Sequence, residues 1–191
     1  MKTGVTFYSA VLMVAVSSCL WADAVPTLGI QPASTTVEPG DAVTLDIDIS
    51  NVTDLYAFQF NLGFDPSVLT ATAITEGAFL PGGGPTLFIP GAVDNVAGTI
   101  AFTADTLVSL VPGLTGSGTL ATVQFNALAL GTSAITLSNI FLLDSSLNLI
   151  DSSLSSGTVT AKAAAVPEPS TGFLFGIALI SLGVFRRCCA G

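Results

Sequence analysis

The closest approach to a catalytic pair in this 191-residue chain is Asp46 and Asp48. Two residues apart on a strand, they share a face at a separation of about 6.8 Å, near the lower edge of the carboxyl spacing an inverting glycosidase uses. The same alternation makes them the solvated side of an ordinary strand, and that reading is preferred. A sugar-cleaving cleft also needs an aromatic platform. Trp21 is the only tryptophan and lies near the N-terminus, which leaves Tyr56 as the one tyrosine after residue 24. The chain has no histidine, and Cys19, Cys188 and Cys189 all fall in its terminal segments. Ser–His–Asp and Cys–His catalysis and a conventional zinc site are thereby excluded from the body. The glycine-rich run at 81–85 has neither a lysine nor a following helix, so it is no phosphate loop. The expectation is a protein that is not an enzyme, with a carbohydrate-processing enzyme as the weakest alternative.

Metal chemistry has one candidate. Asp144 and Asn148, with Asp151 beyond, offer hard oxygen ligands that would suit calcium. They lack the glycine and terminal glutamate of an EF-hand, and an Asx turn explains the same residues. The turn is the preferred reading, and no cofactor is expected.

Charge narrows the partners. Of 13 acidic residues only Asp23 lies in the first 24, and of four basic residues Lys2, Arg186 and Arg187 lie in the terminal segments. Residues 25–171 keep 12 acidic groups against Lys162, a net charge near −11. Such a surface repels phosphate backbones, so nucleic acid is excluded as a partner. A protein or polysaccharide ligand remains open.

Both termini carry addressing signals. Residues 1–24 read as a secretory signal peptide: Lys2 gives the positive start, residues 10–16 the apolar core, and Ala22 and Ala24 flank Asp23 in a small-residue cleavage site. A second reading takes Val16-Ser17-Ser18-Cys19 as a lipoprotein box with Cys19 lipidated. Either exports the chain. At the other end, Val166-Pro167-Glu168-Pro169-Ser170 sits in a linker, 163–171, whose prolines deny helix. Residues 172–185 follow without a charge, 14 positions spanning roughly 21 Å as a helix, short against a hydrocarbon core of about 30 Å. Arg186 and Arg187 then place that end in the cytoplasm. This order of proline motif, apolar run and arginine pair resembles the PEP-CTERM sorting signal. That resemblance implies a single transmembrane helix and basic tail over 172–191, handling by an exosortase after an inner-membrane intermediate, and a destination at the cell surface or in an exopolysaccharide-rich extracellular matrix.

Between the termini lies a body, 25–162, of single-domain size. It is rich in Val, Ile, Leu, Thr, Phe and Gly and lacks a sustained helical period, which is an all-β pattern. Residues 28–31 form a first strand and 37–41 a turn. Residues 43–49 alternate cleanly, with Val43, Leu45, Ile47 and Ile49 on one face. Residues 51–54 read as a polar turn. The strand after it places Tyr56, Phe58, Phe60, Leu62 and Phe64 together, a large apolar load for a sandwich core. Further strands are expected at 68–75, 86–89, 99–104, 120–128, 134–143 (with a bulge near Ser138), 147–150 and 157–161. Residues 81–85 should be irregular and mobile, and 116–118 a flexible lead-in. That gives about nine short strands, suited to two packed sheets.

The stretches Val37-Glu38-Pro39-Gly40-Asp41, then 51–69 (NVTDLYAFQFNLGFDPSVL), 116–125 (GSGTLATVQF) and 131–139 (GTSAITLSN) resemble the cohesin domain. The resemblance implies a jelly-roll β-sandwich with a non-catalytic binding role. It also implies an alternative function as a dockerin receptor on the cell surface.

Overall fold

The computed structural model describes residues 25–164. The expected signal peptide with Ala22 and Ala24, the lipoprotein alternative at Cys19, the sorting motif Val166–Ser170 and the expected membrane helix with Arg186 and Arg187 fall outside the described residues. Within them the chain is an all-β sandwich of eleven strands, two more than the sequence suggests: β1 (Thr27–Gln31), β2 (Ser34–Val37), β3 (Ala42–Gly63), β4 (Leu69–Glu76), β5 (Thr86–Ile89), β6 (Ala92–Asp94), β7 (Thr99–Leu107), β8 (Leu114–Ala127), β9 (Gly131–Asp144), β10 (Ser153–Ser155) and β11 (Gly157–Ala161).

β3 joins the two layers. Its first half pairs with β1 and β8, and the layer continues outward to β10 beyond β1 and β4 beyond β8. Its second half pairs with β7 and β9, with β5 and β6 on the far edge of β7, and β11 and then β2 beyond β9. The expected turn at 51–54 is therefore a corner inside one continuous 22-residue strand. Asn51 and Asp54 take φ of 56° and 59°, in the left-handed region that asparagine and aspartate tolerate better than most side chains. Two such residues let a strand leave one sheet and enter the next, as sandwich corners require. The buried set changes parity across the corner, from Val43, Leu45, Ile47 and Ile49 through Val52 and Leu55 to Phe58, Phe60 and Leu62.

These two faces close one core. Phe60 and Phe125 are fully buried, Phe64 meets Phe125 edge to face at 5.2 Å, and Phe58 stacks on Phe60 at 5.9 Å. Tyr56 is only half-buried, and its hydroxyl donates to the Ser109 carbonyl.

Several expectations change. Residues 81–85 are not wholly irregular: a 3-10 turn spans Leu80–Gly83, with Leu80 buried and Gly83 against Leu114. Gly116-Ser117-Gly118 belongs to β8, opposite Val52 and Ile49, because the Phe79 ring lies over Gly118 where a side chain would clash. Residues 147–150 are loop, touching β9 by a single bridge from Leu149 to Leu143, and the strand forms later as β10. The bulge near Ser138 is present, with Asn139 at φ 48° and a register shift against β3. β2 and β6 are short edge strands without a strong alternating signal.

Candidate binding face

Neither carboxylate idea assembles a reactive site. Asp46 and Asp48 lie on the outward side of β3; Asp46 accepts from the Thr122 hydroxyl at 2.7 Å across β8. Their flanks are Gln31 and Thr122 for one, Gly29 and Thr119 for the other. No aromatic platform stands beside them.

The Asp144 loop is an Asx turn. Asp144 Oδ1 accepts the backbone N–H of Ser146 and of Asn148, each at 2.8 Å, and Oδ2 accepts the Asn148 side-chain amide at 3.0 Å. The Asn148 amide holds the Asp144 carboxyl below its usual range, with the backbone N–H groups adding to it. Both acceptor oxygens are thus engaged by the loop itself. Asp151 lines a separate groove with Leu149 and Leu154 rather than joining Asp144. Among the described residues no group of three metal-ligating side chains forms.

What the fold does assemble is an apolar face. Sheet strands normally send polar residues outward, yet β5 and residues 140–143 of β9 are apolar on both parities. Leu87 is 57% exposed, Phe141 48% and Ile89 40%. With Ala57 and Gln59 of β3 between them, and Leu143 of β9, they line an open groove of about 380 Å³ across β5, β7, β3 and β9. Leu87 faces outward because Thr86 and Phe88, its neighbours in the alternation, point in. Exposed apolar patches mark protein–protein, membrane or ligand-binding surfaces alike. The sequence held a signal for it: Leu87-Phe88-Ile89 and Phe141-Leu142-Leu143 are apolar runs in which only one parity can be core.

Under that face sits a buried acid. Asp105 on β7 is 2% exposed and points inward between Phe58 of β3 and Phe88 of β5. Its Oδ1 takes the Thr106 N–H, while Oδ2 is buried with no donor. The Glu76 carboxyl at the end of β4 is within hydrogen-bonding reach of it and also accepts from the Thr86 hydroxyl. The reading of β7 as ending at Ala104 left this residue out. A bulge at Phe102, φ 59°, its N–H held by Asn61 Oδ1, shifts the parity and turns Asp105 inward.

Comparison with known proteins agrees with this architecture. No curated protein matches the sequence. Among solved structures, a non-cellulosomal cohesin from the archaeon Archaeoglobus fulgidus is similar at 17% identity and TM-score 0.58, over 73% of this chain and 93% of that one. A type II cohesin domain from the cellulosome of Acetivibrio cellulolyticus is similar at 23% and 0.57, over 71% and 95%. A type I cohesin–dockerin complex from Clostridium thermocellum contains a chain similar at 15% and 0.60, over 73% and 100%. Residues 165–187 match the PEP-CTERM protein-sorting motif. Residues 28–161, most of the chain, match the cohesin domain, and the protein belongs to the cohesin family.

Proposed function

We propose that this is a non-catalytic exported protein whose sandwich binds a protein ligand through the apolar face of β5, β7, β3 and β9. The observation that carries the reading is the groove itself, with Leu87, Ile89 and Phe141 exposed on a sheet surface that solvation alone would make polar. An apolar groove gives a protein ligand area to bury but gives few partners to sugar hydroxyls, and the one tyrosine after residue 24 has its hydroxyl committed to Ser109. A protein ligand is therefore favoured over a polysaccharide. Dockerins are the first class to try, since the similar chain from Clostridium thermocellum was solved with one.

The sorting motif supports an address. The chain is handled by an exosortase at the inner membrane and delivered to the cell surface or extracellular matrix, after entry through the residue 1–24 signal peptide.

The binding reading is tested by calorimetric titration of dockerin-bearing proteins from the same genome, with the organism's own exopolysaccharide in parallel. Leu87→Glu with Phe141→Glu should cost at least ~100-fold in protein affinity, since two central apolar anchors are replaced by charges. Unchanged affinity in that variant refutes the assignment of the face. Tight binding of the polysaccharide and of no protein refutes the ligand class. Delivery is tested by the intact mass of the secreted protein: retention of residues 173–187 contradicts removal by an exosortase.

A further inference from the structure

We propose that Glu76 and Asp105 share one proton, and that this shared proton is a latch holding the β4–β5 connection and β5 onto the sandwich. The geometry requires something of this kind. Asp105 Oδ2 is buried and meets no donor, and the side chain that Asp105 meets is another carboxyl, Glu76. Two acceptor oxygens facing each other away from water repel unless a proton lies between them. With it the contact becomes a hydrogen bond to a charged acceptor, among the stronger kinds.

Nothing nearby supplies the charge instead. From β4 only Glu76 faces Asp105. β5 contributes Thr86 and Phe88, and β3 contributes Phe58 and Tyr56, the latter with its hydroxyl on Ser109. The turn Leu80–Gly83 and strand β8 hold no titratable side chain, and Asp144 of β9 is folded into its own loop. Lys162, the one cationic side chain among the described residues, follows β11, which β3 and β9 separate from β7. Burial first, and then the Glu76 charge, push the Asp105 carboxyl up to about 7.

The latch ties elements of the two sheets to one another. Glu76 ends a strand of one sheet and Asp105 belongs to the other, while the Thr86 hydroxyl on Glu76 brings in the start of β5. β5 is a four-residue edge strand whose only ladder is with β7. It is the segment whose release relieves two ionised carboxyls most cheaply. Because the folded-state pKa of Asp105 lies above its ordinary value of 3.8, its contribution is fully present below pH 4 and is lost as pH rises through about 7. Asp54, Asp65, Asp94 and Asp144 are held low by hydrogen bonds and act in the opposite sense, losing their contribution as pH falls. β5 carries Leu87 and Ile89, so its release would dismantle one wall of the groove; this consequence rests on the binding reading, whereas the latch itself does not.

The test uses the secreted protein without ligand. The carbon-13 shift of the Asp105 carboxyl is followed from pH 3 to 9, together with amide exchange in β5 relative to β1, corrected for intrinsic rates. The expected result is a carboxyl titrating near neutrality and β5 protection falling by up to roughly tenfold per pH unit between about pH 4 and 7 and levelling off above, with β1 unchanged. Asp105→Asn should flatten the β5 profile, and Glu76→Gln, which removes one of the two acids and offers an amide donor to the other, should do the same if the first variant folds poorly. A carboxyl titrating near pH 4 overturns the shared proton. A neutral midpoint with β5 exchange independent of pH overturns the latch. Loss of ligand binding with both readouts intact would count against the docking face alone.

Discussion

Replacing Asn51 probes the corner of β3 at the level of the backbone. Its φ of 56° is left-handed, and no hydrogen bond of its side chain holds the corner; the backbone N–H is what donates, to the Ser117 hydroxyl at 3.0 Å. The residue is exposed, so packing contributes little. For a β-branched residue this region is strongly disfavoured, and an L-residue there costs about 1–2 kcal/mol. Asn51→Val should therefore destabilise by about 1–2 kcal/mol, lowering Tm by about 3–8 °C for a domain of this size. Asn51→Gly removes the strain but adds freedom to the unfolded chain, worth about 0.5–1 kcal/mol, and should fall within about 0.5 kcal/mol of the parent. Thr53→Val, at an exposed position between the two left-handed residues, should change little. Urea unfolding followed by circular dichroism reads all three, with a constant m-value as the check that only stability changed. A valine variant as stable as the parent would mean that the corner is not left-handed at Asn51. A glycine variant as weak as the valine one would place the effect in the side chain and refute the backbone account.

Two further perturbations address the frame around the core. Gly98 has φ 70°, and a Cβ there would lie 2.3 Å from the Phe64 carbonyl oxygen, so Gly98→Ala should cost more than the ~1 kcal/mol of left-handed strain alone and show as a lowered urea midpoint. Phe125→Ala empties the site where Phe64 packs edge to face and should cost about 3–5 kcal/mol by the same assay; a loss below about 1 kcal/mol would mean that the two sheets close without that ring.

Much of this was legible in the chain because strand alternation is a local property. The parity of Val43, Leu45, Ile47 and Ile49, and of Phe58, Phe60, Leu62 and Phe64, marked the core side of β3 on both sides of the corner before any pairing was known. The Asx turn at Asp144 and the bulge beside Ser138 were equally readable, since each depends on residues within a few positions. Absent residue types excluded whole chemistries without any geometry. The sorting motif was read from linear order alone.

The parts that escaped depend on contacts between distant residues. The polar run 51–54 has the composition of a turn, and only the pairing of β3 with β8 on one side and β9 on the other makes it a corner. Gly116 and Gly118 suggest flexibility until Phe79, nearly forty positions earlier, is seen covering the strand. The apolar runs in β5 and β9 were visible, but their outward residues become one groove only when the β3 segment stands between them. Glu76 and Asp105, 29 positions apart, are two ordinary acids in the sequence; the closing of the two sheets brings them together. Period-two patterning tells each strand which side to bury. Which strands become neighbours, and so which buried or exposed groups meet, is decided by the packing of two sheets on a shared core.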